Sequence, residues 1–244
     1  MQATPPISPK EFDECGFAII EPIQFGEVLD QLRLAANELL KGAPAAGLRS
    51  PLNRSAALGA FSESKWIREL VEPYFGQGNA ARDPCQFFIT RSILFDKSPD
   101  ANWDVAWHQD TTICVEARHD VPGFGPWSMK DGRPHVRPPA SVLERMLTVR
   151  IHLDDCDAAN GALHVVPGSH RLGILNESKI AEKTRTADVH VCEVPAGGLM
   201  IMRPLLLHAS KRATSPQRRR VLHLEFAMDD LPGGLVWARE PRPN

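Results

Sequence analysis

A histidine and an aspartate stand one residue apart in His108-Gln109-Asp110, and a second histidine, His208, and an arginine, Arg219, follow about a hundred residues later. Alternate side chains of an extended strand share a face, so His108 and Asp110 project together while Gln109 turns away. A short H-x-D can therefore chelate. Two imidazoles and one carboxylate on one side of an iron leave three coordination positions open, enough for a cosubstrate and dioxygen. The third protein group would come from Met200 to Ser210, which reads as a buried apolar strand ending in a polar pair, with His208 and Ser210 facing the same way.

Arg219 opens the next strand, Arg219-Arg220-Val221-Leu222-His223-Leu224-Glu225-Phe226. A planar, permanently charged fork at that position suits a dicarboxylate. Three arginines are adjacent, Arg218 to Arg220, and alternation puts Arg218 and Arg220 on one face with Arg219 on the other. The outer two read as solvated or salt-bridged surface charge.

Several blocks, in this order and spacing, resemble the phytanoyl-CoA dioxygenase family of Fe(II)- and 2-oxoglutarate-dependent oxygenases. They are Trp107-His108-Gln109-Asp110, Leu153-Asp154-Asp155, Asn160-Gly161-Ala162-Leu163, Val166-Pro167-Gly168-Ser169-His170-Arg171 and Pro204 to Ser210, continuing to Arg219. The likeness covers about residues 85–230. It implies that His108, Asp110 and His208 hold iron, and that Arg219, eleven residues beyond the second histidine, pairs with the distal carboxylate of 2-oxoglutarate, with Ser210 beside it. It also implies a cosubstrate contact from the preceding strand, Gln86 to Lys97, where Thr90, Arg91 and Ser92 are equal candidates.

The implied cofactors are Fe(II), 2-oxoglutarate and O2, and the implied reaction hydroxylates a C–H bond of a small molecule with release of succinate and CO2. Related halogenases carry a small residue in place of the carboxylate, so Asp110 favours hydroxylation. The identity of the substrate is not implied. Two other readings stay open: another metal-dependent or cofactor-free cupin-type enzyme, such as an isomerase or hydrolase, and a non-catalytic binding protein. Succinate formation coupled to oxygen uptake separates the oxygenase from both.

These residues need a scaffold. Ser8-Pro9-Lys10-Glu11 signals a helix start, and a short strand is expected at Phe17 to Ile20. Val28, Leu29, Leu32, Ala35, Ala36, Leu39 and Leu40 make one apolar stripe on a helix over 26–41, stopped by Gly42. A second helix is expected over Glu63 to Tyr74. Strands follow at Gln86 to Phe95, Leu147 to Leu153, Ala162 to Val166, His190 to Val194, Leu199 to Leu207 and Arg220 to Ala227. The expected fold is mainly β with flanking α-helices, a double-stranded β-helix or cupin-like jelly-roll barrel. One domain over 1–244 is the economical division, with a mainly helical part over 1–84 and the jelly-roll core over 85–230.

Residues 116–141 are rich in proline and glycine and read as an irregular lid over the active site, carrying Trp127 and either Arg137 or His135 toward substrate. In Thr148-Val149-Arg150-Ile151-His152-Leu153, alternation sends Val149, Ile151 and Leu153 outward and Thr148, Arg150 and His152 inward. A buried arginine needs an anion, so Arg150 would face 2-oxoglutarate, a substrate group or a carboxylate such as Glu225. His164, His170, His190 and His223 read as structural.

Of 244 residues 43% are hydrophobic, enough for a sizeable core, and the formal net charge of -2 leaves no footprint for nucleic acid. Cys15, Cys85, Cys114, Cys156 and Cys192 are scattered, which argues against a disulfide framework and for reduced thiols in the cytoplasm. Neither a secretory signal nor a membrane span is expected. The oligomeric state is not legible.

Overall fold

The computed structural model describes residues 7–22, 26–42, 47–75, 87–215 and 217–239. Cys85 and Gln86 lie outside them. The first third is α1 (Pro9–Cys15), β1 (Phe17–Ile20), α2 (Gly26–Leu40), β2 (Leu48–Arg49), α3 (Ala56–Ser62) and α4 (Lys65–Val71). The middle holds β3 (Phe88–Lys97), β4 (Val105–His108), β5 (Ile113–Cys114), β6 (Trp127–Lys130), β7 (Arg133–Val136), α5 (Ala140–Leu143) and β8 (Leu147–His152). Then come β9 (Leu163–Val165), α6 (Glu177–Thr186), β10 (His190–Cys192), β11 (Leu199–Met202), β12 (His208–Ser210) and β13 (Arg219–Ala227).

Two antiparallel sheets make a jelly roll. The larger runs β1-β11-β8-β13-β3-β2 and the smaller β10-β9-β12-β4. No ladder joins them among the described residues, so the roll is an open sandwich rather than a closed barrel. On the large sheet Val149, Ile151, Leu153, Leu222, Leu224 and Phe226 turn outward and bury against Leu32 and Ala36 of α2 and Leu58, Ile67 and Leu70 of α3 and α4. Each fully buried Leu or Ile contributes roughly 1.5–3 kcal/mol of burial free energy. The alternate residues Thr148, Arg150, His152, Arg219, His223 and Glu225 are buried as well, on the opposite face between the sheets.

Several elements depart from expectation, and α3, α5 and β2 had no counterpart among the expected ones. The helix over Glu63 to Tyr74 is split: α3 ends at Ser62, Ser64 caps α4 by accepting from the backbone of Ile67 at 3.4 Å, and a 3-10 turn, Glu72–Phe75, takes over at Pro73. The run Leu199 to Leu207 is not one strand. Pro204 has no N–H to give a ladder, the chain turns with Leu206 N donating to Arg203 O at 3.0 Å, and β11 and β12 belong to different sheets.

The segment 116–141 is not irregular throughout, because β6 and β7 form a hairpin joined to β5. Its turn is Asp131-Gly132, both with positive φ, 49° and 73°. That is the Asp-Gly pairing favoured in two-residue hairpins of primed type. Finally, α6 had no counterpart among the expected elements; it has no buried residue and hence no apolar stripe to announce it.

Candidate active site

Pairing of β12 with β4 sets His208 directly opposite His108. Asp110 follows just past the end of β4, its N–H donating to Pro204 O at 2.9 Å. His108 Nε2 lies 4.0 Å from Asp110 Oδ1, and His208 Nε2 lies 3.8 Å from Asp110 Oδ2. One ligand atom from each of the three residues falls within 4.8 Å of the other two. Both imidazoles are held alike: His108 Nδ1 meets Ala106 O at 2.8 Å and His208 Nδ1 meets Leu206 O at 2.9 Å. A carbonyl at Nδ1 fixes the proton there and leaves the Nε2 lone pair facing the carboxylate.

The electrostatics suit a cation. Burial pushes His208 down to about 4, so its ring is neutral near pH 7. Burial alone would raise Asp110, but His208, His223, Arg91 and His108 outweigh it and hold the carboxyl at about 2. Gln109 turns away, as the H-x-D alternation requires, and spends its whole amide on backbone. Its Nε2 donates to Gly173 O at 2.9 Å and Leu205 O at 2.8 Å, and its Oε1 accepts from Leu175 N at 2.8 Å.

Between the sheets lies a buried basic group. Arg219 is 3% exposed and sits opposite Lys97 in the β13–β3 ladder, so the two cations share one face. Lys97 Nζ donates to Ser210 Oγ at 3.0 Å and Lys211 O at 2.7 Å, and Ser210 Oγ donates to Gly161 O at 2.9 Å. Gly161 is obligatory here: its φ is +88°, and a Cβ would fall 2.9 Å from Lys97 Nζ. Burial and the neighbouring Arg219 push Lys97 down to about 8. Arg150 and His152 join them from β8, and Arg150 is pushed down to about 10 by burial and by Arg219. His152 is pushed well down by burial and by both arginines.

Like charges directly opposite on a sheet repel, and a buried cation without a counter-charge costs several kcal/mol. Among the described residues no carboxylate bridges Lys97, Arg150 or Arg219. The Nε atoms of Arg150 and Arg219 and both ring nitrogens of His152 have no hydrogen-bond partner among the described residues. Such a pocket can take a small anion.

Glu225, one of the candidate partners for Arg150, is engaged elsewhere: it pairs with Arg91 and accepts from His223 Nε2 at 3.3 Å. Arg150 Nη1 donates instead to His223 Nδ1 at 3.1 Å. Asp110, His223 and Glu225 also gather within 4.8 Å. The histidine read as structural thus stands directly behind the metal-type triad. Register separates the three candidates on β3. Arg91 lies opposite Glu225 and shares its inward face, Ser92 lies opposite Leu224 on the outward-packing face, and Thr90 Oγ1 donates to Glu225 O at 3.2 Å.

The adjacent arginines divide as alternation predicts, with one amendment. Arg220 is 7% exposed rather than solvated; it forks onto Asp154 at 2.8 and 2.6 Å and reaches Asn37 Oδ1 at 2.7 Å. Arg218 forks onto Asp96 at 2.7 Å through both Nε and Nη2.

Outside the triad a cleft of about 710 Å³ is lined by β3, the β2 segment and the β6–β7 hairpin, with Arg91, Phe95, Trp103, Lys130, Arg133 and His135 among its walls. Of the residues expected on the 116–141 segment, His135 reaches this cleft. Trp127 does not. It lies opposite Val136, on the other face of the hairpin, and packs with the cluster around Ile113 and Trp237 while Arg118 stacks at 5.5 Å over its ring. Arg137 is exposed and is not among the lining residues. The sequence reading missed Lys97, at the end of a strand it did search; only the antiparallel register reveals that Lys97 faces Arg219.

The profile of the phytanoyl-CoA dioxygenase family matches residues 12–221. L-proline trans-4-hydroxylase of Streptomyces griseoviridis is 27% identical over 146 residues, which are 49% of this chain; the chain spans about half, 47%, of that curated relative. Among solved structures, EctD from S. alaskensis in its apo form superposes with a TM-score of 0.69 at 19% identity, over 99% of this chain and 87% of that one. The 2-oxoglutarate-dependent carbocyclase SnoK from nogalamycin biosynthesis gives a TM-score of 0.69 at 15% identity, over 93% and 88%. These likenesses establish the fold. With the profile spanning most of its length, the chain belongs to the phytanoyl-CoA dioxygenase family of iron- and 2-oxoglutarate-dependent oxygenases.

Proposed function

We propose that this chain is a dioxygenase that hydroxylates an unactivated C–H bond of a small molecule, consuming 2-oxoglutarate and O2 at an Fe(II) held by His108, Asp110 and His208. The observation that carries this reading is the juxtaposition of a His-Asp-His cluster with a buried basic pocket in which no carboxylate among the described residues bridges Lys97, Arg150 or Arg219. The donor set fits Fe(II): two imidazoles and a carboxylate on one side. Bound there, the iron and 2-oxoglutarate would supply oxidative decarboxylation, giving succinate, CO2 and the oxidant.

The chain's own work is orientation. Arg219, with Ser210 and Lys97 beside it, would grip the distal carboxylate of the cosubstrate, and Arg150 and His152 offer further donors on the same face. Their burial keeps water away, so each charge-assisted hydrogen bond acts at low dielectric. Arg91, Glu225 and His223 brace Asp110 from behind. The hairpin of β6 and β7 forms one wall of the substrate cleft and would act as the lid expected of residues 116–141.

The substrate is the open variable. The similarity to an L-proline hydroxylase makes free amino acids the first compounds to try. Cys15, Cys156 and Cys192 carry no disulfide among the described residues, which supports a reducing, cytoplasmic setting. No helix among the described residues is long and apolar enough to cross a membrane. The deciding experiment is a screen for compounds that stimulate succinate release coupled to oxygen uptake in the Fe(II)-loaded protein. Absence of 2-oxoglutarate binding and of any turnover would sink the reading.

A further inference from the structure

We infer that the outer cleft recognises an anionic group, a carboxylate or phosphate, on the primary substrate, and that Lys130 and Arg133 of the hairpin are the residues that hold it. The inference rests on the oxygenase reading for the word substrate, but its evidence is separate. Among the described residues, five cationic side chains line the cleft, Arg49, Arg54, Arg91, Lys130 and Arg133, against one carboxylate, Asp131. Asp131 is already bound to Arg49 at 2.8 Å, and Arg91 is bound to Glu225. Lys130 and Arg133 form no salt bridge among the described residues.

Register makes the pair deliberate. Lys130 lies directly opposite Arg133 in the β6–β7 ladder, so the two charges stand side by side on one face. A hairpin stabilised for its own sake would place opposite charges there, since like charges across a ladder are destabilising. The same face carries His135, and the opposite face carries Trp127 into an apolar cluster, so the hairpin cannot roll over to expose the pair to bulk water without unburying that side. Lys130 is partly buried and is held below the ordinary lysine range by that burial and by the nearby Arg91 and Arg49. An arriving anion would relieve both neighbours at once.

The cleft also leads to the reaction centre. Phe95, one of its walls, meets the ring of His223 edge-on at 5.6 Å and lies 5.5 Å beneath the guanidinium of Arg150. His223 and Asp110 are in one cluster. Trp103, another wall, lies under Lys97 at 5.3 Å. A small molecule held by its anionic end at the hairpin would therefore lay its apolar part against Phe95 and Trp103, toward the metal-type triad.

The test uses protein held under nitrogen with Fe(II) and saturating 2-oxoglutarate, so that the inner basic pocket is filled. Benzoate, phenyl phosphate, benzamide and benzyl alcohol are titrated by calorimetry. The expected result is that at least one anion binds about tenfold or more tighter than its neutral analogue, and that Lys130→Gln with Arg133→Gln removes that preference while 2-oxoglutarate binds as before. Comparing benzoate with phenyl phosphate tells which anion the cleft prefers. Equal binding of neutral and charged probes, an unchanged preference in the double variant, or displacement of the anion by added 2-oxoglutarate would each overturn the inference. Failure of 2-oxoglutarate itself to bind marks failure of the oxygenase reading instead. In that case the same probes and variants, applied without it, still decide whether the hairpin binds anions.

Discussion

His108 and His208 are cross-strand partners, their ring centroids 4.1 Å apart and their planes tilted by 50°. The ladder between β4 and β12 thus brings two imidazoles from distant parts of the chain to the same carboxylate. Replacing His108 by Ala should leave a two-group site and lower Fe(II) affinity by about a hundredfold or more, with turnover lost. Anaerobic titration with Fe(II) measures it. Undiminished metal binding in the variant would remove His108 from the ligand set.

Arg219→Ala should act on the cosubstrate instead. Removing a buried, charge-assisted fork is worth about 2–4 kcal/mol, so KM for 2-oxoglutarate should rise about a hundredfold while Fe(II) affinity changes little. Steady-state succinate release across cosubstrate concentrations separates the two effects. A normal KM would mean that the guanidinium holds something else.

Arg220, one residue on, should behave in the opposite way. Its fork to Asp154 and its bond to Asn37 tie α2 to the large sheet. Arg220→Ala leaves Asp154 with only Arg33, 3.9 Å away, as a salt-bridge partner among the described residues and should cost about 2–4 kcal/mol of stability, with the KM for 2-oxoglutarate unchanged in the folded fraction. Urea unfolding beside kinetics distinguishes the neighbours; a variant as stable as the parent would show that the pair contributes nothing net.

Lys97 gives the site a pH limb. Because its folded value is lowered to about 8, the unfolded chain holds more protons between about 8 and 10.5. The cost of burying the charge is therefore fully present below 8 and fades as pH rises through that window, so this group makes stability climb with pH. Cosubstrate affinity should run the other way, since deprotonation removes a cation facing the dianion. kcat/KM for 2-oxoglutarate should fall above about pH 8, and Lys97→Met should lower the plateau and abolish the break. A break that survives in the variant would assign the titration to another group.

How much of this was legible beforehand depends on the range of the signal. Alternation along β8 correctly sends Thr148, Arg150 and His152 inward, because a period of two is a local property of any strand. The same rule separates Arg219 from Arg218 and Arg220. Register is not local. The facing of Lys97 with Arg219, of Glu225 with Arg91 rather than Arg150, and of His223 with Asp110 follows from which strands pair, and no single stretch of residues announces that. The hairpin is a different case: Asp131-Gly132 was a sufficient turn signal, masked by the density of proline and glycine around it. Pro204 likewise marked the end of β11, and the apolar character of Leu205 to Leu207 concealed the break.

That break at Arg203-Pro204 hands the chain from the large sheet to the small one, and it is pinned from the far end of the sequence. Arg203 N donates to Gly16 O at 2.9 Å, and its guanidinium reaches Asp13 Oδ1 at 2.8 Å and Tyr74 O at 3.0 Å and stacks 5.1 Å from the ring of Phe12. His208 begins five residues later. The opening helix is thus the mooring of a metal-type ligand. Trimming it away would loosen His208 at a distance, so that iron occupancy reports on whether the amino-terminal turn is docked.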